Sequence, residues 1–174
     1  EHYNHLVFLG LKGTGLLKRV FIGSETLRMI EEIDNPIVAM PRDADCCARE
    51  IIHVAVHKSY PLNVAEFSKF LNLAGSQVRK IVFFSVITQE DDYNATENYL
   101  RELVNLFSDK REGTSYELFV GQTAFEDLKR ILSDKKDEFI VVQRGSRMLM
   151  DQIFRKYLIN ELVYEGNIPL VILP

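Results

Sequence analysis

Residues 139–174 read FIVVQRGSRMLMDQIFRKYLINELVYEGNIPLVILP, and residues 6–41 read LVFLGLKGTGLLKRVFIGSETLRMIEEIDNPIVAMP. The two stretches align end to end without a gap, with matching leucine, phenylalanine, valine and proline positions. Each has the pattern of a buried strand, a turn, an amphipathic helix and a second buried strand. The distance in sequence between the two stretches is about the length of a domain and far longer than the period of a solenoid repeat. The repeat therefore predicts that the two stretches belong to two successive domains.

The repeat sets the domain boundaries that we predict. We interpret residues 1–41 as the C-terminal β–α–β segment of a first domain whose beginning is missing from the chain. The polar, unpatterned residues 42–48 are interpreted as a linker, and 49–174 as a complete second domain. The alternative is that any two β–α–β units resemble each other, but the gapless register and the matching prolines count against it.

Short apolar runs alternate with amphipathic stretches throughout the second domain. This pattern predicts five strands and four helices: strands 50–57, 80–87, 115–121, 138–143 and 168–173, and helices 62–74, 94–108, 123–135 and 148–164. Asn63, Asn94 and Thr123 are the predicted N-caps of the first three helices. Strands rich in valine, isoleucine and phenylalanine that alternate with helices indicate a parallel sheet covered on both faces. Because crossover connections are right-handed, we expect a doubly wound α/β domain.

The overall composition excludes several function classes. The net charge of -4 gives no basic surface, so no nucleic-acid partner is expected. No apolar run approaches the roughly 18 residues that a membrane span needs, so no membrane association is expected. The two cysteines, Cys46 and Cys47, are adjacent and form no disulfide framework, which is typical of an intracellular, cytoplasmic protein.

The two copies differ where a ligand would bind. The first copy has glycines at 10, 13 and 23 and a hydroxyl at Ser24. Glycine lets a phosphate approach the backbone closely, and the N–H groups at a helix N-terminus favour an anion. The spacing is neither that of the P-loop nor that of the dinucleotide fingerprint. The second copy has no glycine at these positions, which are occupied by Gln143, Ser146, Lys156 and Tyr157.

The stretch Gly10-x2-Gly13-x9-Gly23-Ser24 and its flanking strands resemble the ATP-binding signature of the universal stress protein family. Residues 49–174 resemble a whole domain of that family, and a tandem of two such domains is a known form of it. The resemblance implies a Rossmann-like, five-stranded parallel sheet in the order 3-2-1-4-5, with an extra β–α–β segment from the preceding repeat. It also implies a non-enzymatic regulatory or interaction protein of the stress response.

The nucleotide site of the second domain departs from this family. His57 stands where the first strand usually ends in an acidic residue, and the bulky residues at the glycine positions occupy the space of a triphosphate. We therefore expect no cofactor in this chain, and ATP only in the first domain of the full-length protein. Two alternatives stay open. One is an ATP-binding module with slow hydrolysis or phosphate transfer, and the other is a small-ligand pocket formed by His57, Lys58, Gln143 and Arg144.

Other candidate sites are weaker. His53 and His57 share a face of the predicted strand, but no further ligand stands at a suitable spacing, so no metal site is expected. We expect His53 to pack in the core, His57 to lie at a solvated strand end, and the acidic residues 90–92 to form a solvated loop. No catalytic residue is predicted, because the sequence contains no hydrolase motif.

The last strand predicts an association. Residues 168–173 are apolar, and such a strand left unpaired at a sheet edge promotes aggregation. We expect either a homodimer formed through this strand or its pairing within the chain with residues 36–41.

Overall fold

The computed structural model describes residues 5–10, 32–41, 50–120, 126, 132, 138–146, 149 and 168–174. No helix among these residues is long and apolar enough to cross a membrane. The described ranges contain two complete α-helices, α1 (Val64–Ala74) and α2 (Tyr93–Ser108), and a short 3₁₀-helix at Gly75–Gln77. They also contain seven strands: β1 (Val7–Gly10), β2 (Ile37–Met40), β3 (Ile51–Ala55), β4 (Lys80–Ile87), β5 (Ser115–Val120), β6 (Glu138–Gln143) and β7 (Leu170–Leu173).

Three of the predicted helices fall largely outside the described residues. Within them, Glu32, Glu126, Leu132 and Leu149 have helical backbone. These four residues lie inside the predicted helices of the first copy, of residues 123–135 and of residues 148–164. The remaining residues of those three helices lie outside the described part of the chain.

The seven strands form one sheet in the order β1-β2-β7-β6-β3-β4-β5. Neighbouring strands are parallel except β2 and β7, which are antiparallel. The prediction of a five-stranded sheet with a separate extra segment is therefore wrong in its strand count. The physical reason is that the apolar edge of β7 pairs with β2, so β1 and β2 extend the same sheet. On the other side of β7, the strands follow in the order β6-β3-β4-β5.

The β2–β7 pair lies between the two copies of the repeat. Val38 lies opposite Val171, its own counterpart in the repeat, and Ile37 lies opposite Ile172. Antiparallel neighbours in one sheet are related by an axis perpendicular to the sheet, so the copies meet about a local two-fold axis between the two valines. This is the intramolecular pairing that we gave as one alternative. Because β2 and β6 occupy both edges of β7, a homodimer through β7 would have to displace one of them.

The parallel strand pairs on either side of this axis have the same register. Every residue pair between β1 and β2 has its repeat counterpart between β6 and β7. The Val7 N–H donates to the carbonyl of Pro36 at 3.0 Å, and the Ile140 N–H donates to the carbonyl of Pro169 at 3.1 Å. The two copies therefore share not only a sequence pattern but also the hydrogen bonds by which each strand pair begins.

Two apolar clusters cover the two faces of the sheet. On one face, Phe67 of α1 and Phe107 of α2 meet edge to face at 5.1 Å and pack on the fully buried Phe83 of β4. On the other face, the helical residues Leu132 and Leu149 pack with residues of β2, β6 and β7. Burying a phenylalanine or leucine side chain contributes about 1.5–3 kcal/mol each. Helical residues on both faces make this a doubly wound α/β fold, as the alternation of strands and helices predicts.

Two of the predicted helix N-caps lie within the described residues, and one of them is confirmed. The Asn63 side chain caps α1 by accepting from the Glu66 N–H at 3.2 Å, which confirms that prediction. The cap of α2 is Asp92 and not Asn94, since the Asp92 carboxylate accepts from the Ala95 N–H at 3.0 Å. An ionised carboxylate also interacts favourably with the positive end of the helix dipole. Thr123 lies outside the described residues.

Candidate switch-point site

The sheet has its topological switch point between β3 and β6. These strands are parallel neighbours, but the chain continues from β3 to β4 on one side and from β6 to β7 on the other. In open α/β sheets, ligands bind in the crevice outside the carboxyl ends of the strands at such a point. Here that position is framed by the loop of residues 56–63, which follows β3, and by residues 143–146 at the end of β6. We call these two segments the switch-point site.

His57 folds back into the loop instead of extending the strand. It forms an isolated antiparallel bridge with Tyr60, whose N–H donates to the His57 carbonyl at 2.9 Å. The Ser59 N–H donates to His57 Nδ1 at 3.2 Å, which leaves Nε2 to carry the proton and face Asp91 Oδ1 at 3.3 Å. His57 is only 7% exposed, so the expectation of a solvated strand end is wrong. The turn and the carboxylate together bury the ring.

Asp91 connects this loop to the segment that follows β4. Its Oδ2 accepts from the Thr88 N–H at 2.8 Å and from the Thr88 hydroxyl at 3.0 Å, while Oδ1 faces His57. Residues 90–92 form a largely exposed loop, as expected, but Asp91 within it also contacts His57 and Thr88. Both ring nitrogens of His57 are engaged, by a backbone N–H and by Asp91. The pair therefore resembles an acid–base dyad in composition, yet it presents no ring nitrogen to take a proton from a substrate.

The Gln143 side chain bridges the carboxyl ends of the two strands at the switch point. Its Oε1 accepts from the Asn63 N–H at 2.5 Å, and its Nε2 donates to the Pro61 carbonyl at 3.3 Å. Gln143 is the last residue of β6, while Pro61 and Asn63 belong to the loop after β3. The side-chain amide thus joins the two segments between which open α/β sheets bind ligands. A glycine, which the first copy has at the equivalent position, could not form this bridge.

A tyrosine on α2 holds the same loop from a third direction. The Tyr99 hydroxyl accepts from the Leu62 N–H at 2.7 Å. Burial raises the pKa of the Tyr99 hydroxyl above its usual value, because desolvation disfavours the phenolate. The neutral hydroxyl therefore anchors Leu62 throughout the physiological pH range. The loop is attached to α2, to β6 and, through His57, to the segment after β4.

Arg144 points toward the first copy of the repeat. Its backbone N–H donates to the Leu173 carbonyl at 2.8 Å, and its guanidinium lies 3.4 Å from the Asp34 carboxylate. The Asp34 side chain is 95% exposed, so this ion pair contributes little to stability. Lys58 is exposed at the turn of the loop. Of the four predicted pocket residues, His57 and Gln143 thus hold the loop of residues 56–63 by hydrogen bonds. Lys58 lies at the surface of this loop, and Arg144 extends the pairing of β6 with β7.

The glycine motif is only partly described. Gly10 is the last residue of β1 and lies opposite Met40. Gly13, Gly23 and Ser24 lie outside the described residues, so the phosphate-binding arrangement stays a prediction. In the second copy, the counterpart of Gly13 is Ser146, which is 4% exposed and whose hydroxyl makes no hydrogen bond within the described part of the chain. Its backbone N–H donates to the Gln143 carbonyl at 3.0 Å and closes a tight turn after β6.

The two histidines of β3 and its loop use different carboxylates. His53, 1% exposed, contacts the Glu138 carboxylate at the start of β6 through Nε2, while His57 faces Asp91. Within the described ranges no group of three or more histidine, cysteine or acidic residues could hold a metal ion. His53 lies in the core as expected, but the Glu138 partner was not anticipated.

Sequence reasoning missed three residues that shape the site: Asp91, Tyr99 and Asp34. The Thr-x-x-Asp spacing of Thr88 and Asp91 is a turn signal that could have identified Asp91, because aspartate side chains bond to nearby backbone in such turns. Tyr99 and Asp34 carry no local signal. Their contacts depend on how α2 and residues 32–41 pack against the rest of the described structure.

The chain was also compared with known proteins. No model of a protein family matches it, and no curated protein matches it. The resemblance to universal stress proteins therefore rests on the quoted residues.

Proposed function

We propose that this chain is a universal stress protein-like regulatory or interaction protein of the stress response, whose second domain no longer binds nucleotide. The observation that carries the proposal is the Gln143 bridge at the switch point. A ligand entering there would have to break both hydrogen bonds of the Gln143 amide. The site is thus fastened by the protein's own side chain.

Three further features support the same proposal. The five strands from β3 onward, taken in chain order, lie in the order 3-2-1-4-5 within the larger sheet, as in the proposed family. The β1–β2 pair repeats the register of the β6–β7 pair, which supports two tandem copies. Both ring nitrogens of His57 are engaged, which supports a non-enzymatic role. A cytoplasmic location belongs to this proposal.

A second candidate is an ATP-binding module of the first copy. Gly10 favours it, because this residue ends β1 where Gln143 ends β6 and brings no side chain to cover the entrance. In that case Gly13, Gly23 and Ser24 would bind the phosphates. A small-ligand pocket in the second domain is disfavoured by the attached loop of residues 56–63.

Calorimetric titration of the chain with Mg-ATP tests the proposal. We expect no saturable binding, and we expect the same for a Gly10→Val variant. Saturable binding that Gly10→Val leaves unchanged, and that Gln143→Leu leaves unchanged or strengthens, would refute the loss of nucleotide binding in the second domain. Saturable binding that Gly10→Val abolishes, with Gln143→Leu unaffected, would instead establish the first-copy module. Titration with magnesium chloride alone is the control.

A further inference from the structure

The negative charge of the protein is concentrated on α2 and on the turn that precedes it. Residues 90–102 contain five acidic side chains and one basic side chain, Arg101, which gives a formal charge of -4. The whole chain also has a net charge of -4, so all the other residues together are neutral. α2 packs on β4 and β5, whereas β1 forms the opposite end of the sheet. The charge is therefore gathered on one helix, at the end of the sheet away from the first copy of the repeat.

Three of these carboxylates have no cationic partner. Glu90, Asp92 and Glu102 are exposed, and none of them forms an ion pair with a residue that the structure describes. The neighbouring helix α1 differs, because its one acidic residue, Glu66, pairs with its one basic residue, Lys69, at 2.6 Å. A cation that approaches this face of the sheet is therefore attracted to α2 and not to α1.

One guanidinium is already bound at this face, by a tyrosine and a carboxylate. The Arg101 guanidinium lies over the Tyr116 ring, 5.3 Å from its centre, and donates to Glu97 Oε1 at 2.7 Å. The Tyr116 hydroxyl donates to the same oxygen at 2.9 Å and orients the carboxylate. A guanidinium suits this arrangement because it stacks on an aromatic ring and bonds to a carboxylate at its edge. The chain thus fills one arginine site with its own residue.

The same combination of groups recurs one turn earlier on α2, without a guanidinium. Tyr93 precedes Glu97 by four residues, so the two side chains lie on the same side of the helix. Tyr93 is 47% exposed, and no cation of the described residues lies over its ring. The exposed Glu90 and Asp92 lie beside it in the sequence. Together these two carboxylates outweigh the roughly half positive charge of a helix N-terminus.

We propose that the N-terminal half of α2 binds an arginine-rich segment of a partner protein. One guanidinium of that segment stacks on Tyr93 and pairs with the carboxylates of Glu90 and Asp92, as Arg101 does with Tyr116 and Glu97. Arginine is preferred to lysine, since an ammonium group cannot stack and bond in this way. The contacts are exposed and the surface is small, so binding is weak and is opposed by salt. The inference concerns α2 and holds whether or not the second domain binds nucleotide.

A heteronuclear NMR titration of the chain with two synthetic peptides tests the proposal. One peptide has four Gly-Arg repeats and the other has four Gly-Lys repeats. We expect the arginine peptide to shift the amide signals of residues 90–102 saturably, and to bind at least about twofold more tightly than the lysine peptide. Raising the salt concentration from about 20 to about 300 mM should weaken the binding of both peptides, because the charges are exposed.

Three variants separate this face from the net charge of the chain. Tyr93→Ala removes the stacking ring and should weaken binding of the arginine peptide about two- to fivefold. Glu102→Lys should also weaken it, by charge reversal. The matched control is Asp34→Lys, which changes the net charge equally at a residue whose side chain is 95% exposed and which lies beside β2. This control should leave the dissociation constant within about 1.5-fold of the wild-type value, since screening limits the reach of a remote charge. Circular dichroism checks that all three variants fold.

Several outcomes would overturn the proposal. They are the absence of saturable shifts up to millimolar peptide, shifts that lie outside residues 90–102, and binding that Tyr93→Ala leaves unchanged. Equal weakening by Glu102→Lys and Asp34→Lys would show a response to net charge alone. Equal shifts with a peptide of four Gly-Glu repeats would exclude a basic partner. Shifts of residues 90–102 that depend on protein concentration without any peptide would show that a second copy of the chain occupies the face.

Discussion

The Gln143 bridge makes a specific prediction about the loop that it holds. Replacing Gln143 with leucine removes both hydrogen bonds to the loop while keeping a side chain of similar size at the end of β6. We expect the loop of residues 56–63 to open more often, because its attachments to Pro61 and Asn63 are lost. The attachments through Tyr99 and His57 are unchanged, so the fold itself should persist.

The magnitude follows from the two bonds. A hydrogen bond within a protein contributes about 0.5–1.5 kcal/mol net, and both of these bonds lie at exposed positions where water replaces a lost partner. The free energy of local opening should therefore fall by about 1–2 kcal/mol in total. Since about 1.4 kcal/mol is a factor of ten, the amide of Asn63 should exchange with solvent about 5 to 30 times faster.

Native-state hydrogen exchange measures this directly, and urea denaturation measures the accompanying change in the free energy of unfolding. Lys58→Ala is the matched control, because Lys58 lies in the same loop with an exposed side chain. It should leave the Asn63 amide unchanged. If Gln143→Leu also left this amide within about twofold of the wild-type rate, the bridge would not hold the loop and our reasoning would fail.

Two further predictions concern carboxylates, Glu138 at the start of β6 and Glu97 on α2. His53→Phe removes the buried partner of Glu138, whose side chain is 15% exposed, and should lower the free energy of unfolding in urea by about 1–3 kcal/mol, because a partly buried carboxylate loses a hydrogen-bond partner. The double variant with Glu138→Leu should recover part of this loss, and no recovery would argue against a direct pairing. The hydrogen bond from the Tyr116 hydroxyl, and after it the contact with Arg101, lowers the pKa of the Glu97 carboxyl in the folded protein. The ionised Glu97 therefore stabilises the fold at pH values above the pKa that it has in the unfolded chain. This contribution is lost as the pH falls through the lower pKa that Glu97 has in the folded protein. Tyr116→Phe should raise the Glu97 pKa in a carboxyl-carbon NMR titration, and an unchanged pKa would contradict the assignment.

The parts of the fold that the sequence predicts are those with a local pattern. β3 and β4 are apolar runs interrupted only by His53 and by Lys80 and Ser85, so their buried, parallel character follows from their composition. The pairing of β2 with β7 could be anticipated as one of two alternatives, because an apolar strand such as β7 has to find a partner. The number of strands in the sheet could not be anticipated, since no local feature of the β1 sequence indicates that this strand joins the same sheet.

The candidate site was predicted less well, for a physical reason. The sequence places His57 and Gln143 at the ends of neighbouring strands, and parallel topology brings those ends together. Their partners are backbone groups of Ser59, Pro61 and Asn63, and every residue type offers such groups. A pattern of side chains therefore identifies where a pocket would lie but not whether the chain closes it.

The β2–β7 pair also bears on how the protein folds. Val38 and Val171 lie at opposite ends of the chain, whereas the β3–β4 pair joins Val54 to Phe83, which are much closer in sequence. Closing a loop costs about 0.6 kcal/mol more for each doubling of its length, so the longer closure is the more expensive by about 1.3 kcal/mol. We therefore expect the strands from β3 onward to assemble first and the first copy to add last. Until it does, the apolar edge of β7 is open, and newly made chains are most prone to aggregate during that interval.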